Sequence, residues 1–199
     1  GDLGIQFFLD GEGWRRVKIF YPDGRKMIDI KVKGNAGMIG LTEIFSESAE
    51  PSFDELPRDE FIALFPEGEY RMVGRSVEGA RLVGVATLTH DMPDQPEITS
   101  PEEEEEVDAE DEFVIEWETV ADPNWPDSII EAYQIIVEKD EEEERLRVWT
   151  VDMLPTDTSV TLPAGFLEPG KAYKVEVIAV ETSTNKTISE VEFETEDDD

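Results

Sequence analysis

The stretch that decides the fold is Leu167-Glu168-Pro169-Gly170-Lys171-Ala172-Tyr173-Lys174-Val175-Glu176-Val177-Ile178-Ala179. Pro169-Gly170 is a turn signal. From Tyr173 onward the inward positions read Tyr173, Val175, Val177 and Ala179, the period of two that a half-buried strand requires. The same alternation recurs on either side. Phe113, Ile115 and Trp117 face one way, while Glu116 and Glu118 face the other. Tyr133, Ile135 and Val137 repeat it, Val160 and Leu162 follow, and Val191 and Phe193 make the last inward row. Short alternating runs with turns between them predict an antiparallel β-sandwich.

This spacing resembles a fibronectin type III domain over residues 95–196. The resemblance makes Trp117 the core tryptophan of the second strand and Tyr133 the inward tyrosine of the third. Leu167, Pro169, Gly170 and Tyr173 match the leucine-proline-glycine-tyrosine corner before the sixth strand, and Ser189 and Thr195 suit the closing strand. What it implies is a fold rather than a job, since such modules serve adhesion, spacing and binding alike. The chain has no Arg-Gly-Asp tripeptide, and it departs from the animal pattern in its acidic insertions.

Ahead of the Pro-rich joint Asp91-Met92-Pro93-Asp94-Gln95-Pro96 lies a different pattern. Ile5, Phe7 and Leu9 alternate with Gln6 and Asp10, although Phe8 breaks the polar face. Val17, Ile19 and Tyr21 lead into the turn Pro22-Asp23-Gly24, and Ile28, Ile30 and Val32 come back, a predicted hairpin. A strand is expected over 38–46. One short helix is expected near 57–65, with Pro57 at its start and Asp59 and Glu60 in its first turn. Two further strands are expected over 69–77 and 80–89. The fold class is therefore all-β: two antiparallel β-sandwich domains, 1–92 with the short helix and 93–199 with acidic loops and tail. The run from Phe65-Pro66-Glu67-Gly68 to Thr89-His90 resembles uncharacterised bacterial, often exported, proteins in which it precedes a fibronectin-like module. That resemblance implies an exported location, periplasmic or extracellular.

The 199 residues carry 50 Asp and Glu against 17 Lys and Arg, a net charge of -33. Hydrophobic residues make up 39%, enough for a packed core. There is no Cys and a single His, His90, which excludes thiol nucleophiles, disulfides and Cys/His zinc sites. The charge argues against nucleic acid and anionic membranes as partners and favours cationic ones. No apolar run is long enough to cross a membrane as a helix, and the opening Gly1-Asp2-Leu3-Gly4 is expected of a trimmed or processed chain. The acidity is unequal. Residues 1–92 hold 16 acids and 11 bases, net -5, whereas residues 93–199 hold 34 and 6, net -28.

Candidate functional residues cluster between the second and third strands of the later domain, in Asp122-Pro123-Asn124-Trp125-Pro126-Asp127. Loops at sandwich ends are where this architecture binds partners. Trp125, with Asn124 beside it, can stack on a glycan, dock into a protein pocket, or fold back over the sandwich end. Asp122 and Asp127 are oxygen ligands, and Ca²⁺ is the cation such groups take. The runs Glu102–Glu106 and Asp140–Glu144 are expected as solvated connectors that lack the patterned spacing of a calcium cage. By alternation, Ile136 and Ile178, with Val180, point away from the core and form an apolar stripe for a partner or for the first domain. Gly34-Asn35-Ala36-Gly37 lacks the following helix and Lys of a phosphate loop, and Arg15-Arg16 beside Trp14 is a small positive spot. No catalytic residue or cofactor stands out. The sequence therefore points to a non-enzymatic binding or scaffold protein. A calcium-dependent structural protein and a polysaccharide-binding accessory module are the alternatives.

Overall fold

The computed structural model describes residues 1–120, 130–140 and 145–197. The chain divides into two compact units, Gly1–His90 and Asp91–Asp199, and both are built mainly from antiparallel strands.

The first unit is a five-stranded sheet around one long strand, β1 (Gln6–Phe20). Its end half pairs with β2 (Lys26–Lys31) across the predicted turn, placing Val17 opposite Ile30 and Ile19 opposite Ile28. Its first half pairs with β3 (Leu41–Glu47), placing Leu9 opposite Ile44. β4 (Gly68–Ser76) runs along the other side of β1, and β5 (Arg81–Leu88) completes the order β2-β1-β4-β5. Trp14, Val17, Ile19 and Tyr70 are the buried centre, with Phe7, Leu9, Ile28, Ile30 and Ile44 packed against them. Both arms of β1 thus share one core.

Two helices interrupt the strands rather than the single one expected. α1 (Gly34–Ile39) takes the start of the strand expected over 38–46 and delays β3 to Leu41. Gly40 ends the helix at φ 90, where a Cβ would stand 3.0 Å from the backbone of Gly13. Only glycine suits that position. α2 (Arg58–Leu64) follows Pro57 and carries Asp59 and Glu60 in its first turn, as the sequence predicted.

The second unit is a sandwich of two sheets. One holds β11 (Ser159–Leu162), β8 (Phe113–Trp117) and β6 (Ile98–Ser100); the other runs β10 (Arg145–Met153), β9 (Ile130–Asp140), β12 (Ala172–Glu181), β13 (Lys186–Thr195) and β7 (Glu105–Val107). Their inner faces meet in a core of Phe113, Ile115, Trp117, Tyr133, Ile135, Val137, Leu162, Tyr173, Val175, Val177 and Phe193. Phe193 stacks on Phe113 and Tyr173, with ring centroids 4.7 and 5.5 Å away.

The corner before β12 is fastened by its own side chains. Glu168 N–H donates to Tyr173 Oη at 2.8 Å, and the Thr195 hydroxyl donates to Glu168 O at 2.7 Å while accepting from Lys171 N–H at 2.9 Å. Gly170 turns there at φ 63. One acidic run departs from the expectation of a solvated connector. Glu105–Val107 is a strand parallel to Phe193–Thr195, because the open edge of β13 offers backbone partners that an extended acidic segment can use as well as any other.

Ile135→Ala removes a fully buried side chain from the centre of the second core, and urea denaturation should show a loss of about 2–5 kcal/mol. Tyr70 lies buried with its hydroxyl donating to Pro66 O at 3.0 Å. Burial pushes its pKa up to about 12, with Tyr21 and Asp23 adding to the effect. The folded state thus favours the neutral phenol. Stability should be full below the ordinary value of 10.0 and fall as pH rises toward 12. Tyr70→Phe should flatten that part of a melting-temperature profile.

Candidate functional site

The residues Asp122, Asn124, Trp125 and Asp127 lie outside the described residues, as does most of the Asp140–Glu144 run. Among the described residues no group of three or more His, Cys, Asp or Glu side chains is placed to hold a metal ion, and no helix is long and apolar enough to cross a membrane.

Ile136 and Ile178 sit on the outer face of the β9-β12 pair, where the register puts Ile136 opposite Thr150 and Glu176, and Ile178 opposite Gln134 and Ile188. Both are buried, at 2% and 4% exposure, and the accessible member of that row is Ile188 at 43%. Beside them Lys174 holds a knot of carboxylates: Glu176 at 2.5 Å, Glu190 at 3.1 Å and Glu138 at 3.5 Å. Burial works against the Lys174 charge, but hydrogen bonds to Glu176 and Glu190 overcome it and raise the pKa above 10.5.

The turn between β12 and β13, a display loop in many sandwiches, is tied down. Glu181 is buried and accepts from Ser183 N–H at 2.7 Å, from Thr182 Oγ1 at 2.6 Å and from the Ser183 hydroxyl. Asn185 Nδ2 donates to Asp91 O at 3.0 Å. His90 is likewise structural: its backbone N–H donates to Glu67 at 2.8 Å, and its Nε2 lies 2.8 Å from Phe65 O.

The surface that sequence reading missed is on the first unit. Val17 and Ile19 point inward, so Arg16, Lys18 and Phe20 point outward. The register extends each of these across the sheet. Arg16 faces Lys31 on one side and Arg75 on the other, and Arg75 faces Arg81. Lys18 faces Asp29 and Val73, and Val73 faces Val83. Phe20 faces Lys26 and Arg71, and Arg71 faces Val85. Seven of the eleven bases of residues 1–92 therefore share one sheet face, with Asp29 and Glu69 among them and Asp10, Glu43 and Glu47 on its β3 side.

Asp29 is engaged by two of those bases. Arg16 forks onto it with two bonds of 2.9 Å and Lys26 reaches it at 3.0 Å, which holds its carboxyl well below the usual range. The Arg71 guanidinium lies over the Phe20 ring, 5.0 Å being the corresponding distance of Arg25 over Tyr21 and 5.5 Å its own. One end of the face deepens into a cleft of about 560 Å³ lined by Arg15, Arg16, Lys31, Lys33 and Arg75, with Gly34 and Gly37 in its wall. The Arg15-Arg16 spot is thus the corner of a larger cationic surface. What the arrangement can do is bind anionic groups at several points at once.

No family model matches the chain, and a search of curated proteins finds no match. Among solved structures the chain is similar to the fibronectin(III)-like modules of Clostridium thermocellum CbhA, with a TM-score of 0.42, 10% identity, and coverage of 98% of this chain and 86% of that one. A two-domain fibronectin type III segment of chicken tenascin gives 0.36 at 13% identity, covering 98% and 95%. The BSP domain of a biofilm associated protein gives 0.32 at 16%, covering 94% of this chain but 26% of that one. These are likenesses of fold alone. The second unit itself is a fibronectin type III-like sandwich: its strand order, its buried Trp117 and its tyrosine-locked corner define that class.

Lys174→Met should leave Glu138, Glu176 and Glu190 facing one another and cost the second unit about 1–3 kcal/mol in urea denaturation at neutral pH. Because the folded pKa of Lys174 is raised, its contribution is full below 10.5 and disappears as pH climbs through the higher folded value. The variant should therefore differ least from the parent at strongly alkaline pH.

Proposed function

We propose that the chain is a non-enzymatic binding or scaffold protein whose fibronectin type III-like unit serves as a spacer and whose first unit carries the binding surface. The observation that supports this is the cationic sheet face. A chain of net charge -33 keeps seven bases together on one side of one sheet. Like charges gathered on a surface repel one another, and their usual use is recognition of the opposite sign. Export, periplasmic or extracellular, belongs to the same proposal and rests on the resemblance of the first half to exported bacterial proteins.

The partner this face favours is an anionic macromolecule. That reverses the inference from net charge, which favoured cationic ones. The reason is range: at physiological salt a charge is felt over about 8 Å, so a partner at the face senses the bases it touches more than the net charge of the chain.

Titration of the protein with dextran sulfate, followed by amide chemical shifts, should perturb residues of β1, β4 and β5, whereas neutral dextran should not. Lys31→Glu combined with Arg81→Glu should weaken the interaction at least tenfold with an unchanged melting temperature. Shifts confined to the second unit, or no shifts at all, would remove this reading.

A further inference from the structure

We infer that β5 is a docking edge for an extended acidic peptide, which adds to the sheet as a further strand and lays its carboxylates on the cationic face; this rests on the binding role proposed for that face. β5 is the end of its sheet, hydrogen-bonded to β4 on one side only. Sheet ends are normally blunted by charge or proline, because an open row of backbone N–H and C=O groups captures other strands. The other end strands are blunted by charge or by shortness: β2 carries Lys26, Asp29 and Lys31, β3 carries Glu43 and Glu47, β7 carries Glu105 and Glu106, and β10 carries Arg145, Arg147 and Asp152, while β6 and β11, which carry no charge, are only three and four residues long.

β5 is blunted by neither. After Arg81 it reads Leu82-Val83-Gly84-Val85-Ala86-Thr87-Leu88 without a charge or a proline. Val83 and Val85 stand 58% and 59% exposed. Eight residues of open, β-prone edge are what strand addition uses: main-chain hydrogen bonds supply affinity and alternate side chains supply selectivity.

The side chains select the occupant. An added strand would set its outward residues beside Arg81, Val83 and Val85, with Arg75, Val73 and Arg71 one strand further in. Carboxylates at alternate positions would meet Arg81 and reach Arg71 and Arg75. Apolar residues on the other face would extend the inner row of Leu82 and Leu88, which pack on the core of the unit. A second copy suits the edge less well. Pairing two β5 strands about Gly84 sets each Val83 opposite the other Val85, but it joins two faces of seven bases each into one continuous cationic surface. A polysaccharide or nucleic acid lacks the amide backbone the edge would pair with. Charge complementarity and the unpaired backbone thus agree on an acidic polypeptide strand.

The test uses the whole chain and a capped eight-residue peptide alternating Glu and Val. Two further peptides serve as controls: the same sequence N-methylated at alternate amides, and one with Lys in place of Glu. Amide chemical shifts and hydrogen exchange are followed in β5. The Glu-Val peptide should shift β5 resonances and slow exchange of the β5 amides that point away from β4. N-methylation should weaken binding at least tenfold. Arg81→Glu should do the same, while Arg81→Lys largely retains binding and both variants keep the parent melting temperature. The Lys peptide should leave β5 unperturbed.

Equal binding of the N-methylated peptide would overturn strand addition while leaving a purely electrostatic binding face intact. Failure of the Glu-Val peptide at β5, with dextran sulfate still binding, would do the same. Failure of both probes would remove the binding reading as well. A concentration-dependent dimer in light scattering, abolished by Val83→Lys, would assign the edge to a second copy and overturn the proposal.

Discussion

The alternation of side chains along a strand governs both units, because one residue of slip in register would exchange inside for outside everywhere. β12 is where this constraint is tightest. It pairs with β9 on one side and β13 on the other, and Tyr173, Val175, Val177 and Ala179 are all buried on its inner side. Slippage there would bring Lys174 and Glu176 into the core, at a cost no ion pair would offset. The corner bonds from Glu168 and Thr195 fix where β12 begins, and the neighbouring strands inherit their register from it.

Charge is the second constraint, and the two units meet it differently. The second unit holds six bases among 34 acids from residue 93 onward. Four of those bases are committed. Lys139 pairs with Glu168, Arg145 with Asp140 and Glu192, Arg147 with Glu138, and Lys174 with three carboxylates. Among the described residues most of the other acids are exposed, Glu181 being a buried exception, and at exposed positions screening limits the repulsion. In the first unit the bases outnumber the acids on one face, and Lys31 and Arg81 have no ion-pair partner among the described residues. One unit consumes its cations in holding itself together; the other leaves some of them available.

What could be read from sequence follows from what is local. Phe113, Ile115 and Trp117 declare a strand within five residues, and Leu167 to Tyr173 declare the corner, since in each case the signal and the structure occupy the same short stretch. Pro57 with Asp59 and Glu60 announced α2 for the same reason. α1 was hidden because Gly34-Asn35-Ala36-Gly37 has poor helix propensity, and the decisive residue, Gly40, acts by its fit against Gly13. The composition of Glu105–Val107 alone predicts a solvated segment, while the edge of β13 that recruits it lies almost ninety positions away. Ile136 and Ile178 were placed on the correct side of their strands by alternation, but alternation does not report burial.

The cationic face shows why a functional surface is harder to read than a core. Arg16, Lys31, Arg75 and Arg81 stand in one row across four strands, yet they come from widely separated positions, and none forms a local run. Counting charge over residues 1–92 gives -5, which conceals the cluster, because most acids of that unit lie outside the Lys31-Arg16-Arg75-Arg81 row, on the first half of β1, on β3, on α2 and in the turns. A core is recognised by periodicity along the chain. A row across a sheet depends on pairing, and pairing enters the sequence only through the hydrophobic residues on the opposite side. The inward Val17, Ile19 and Ile30 thus determine which cations meet on the outside, and a change in core register would dissolve the surface without altering a single base.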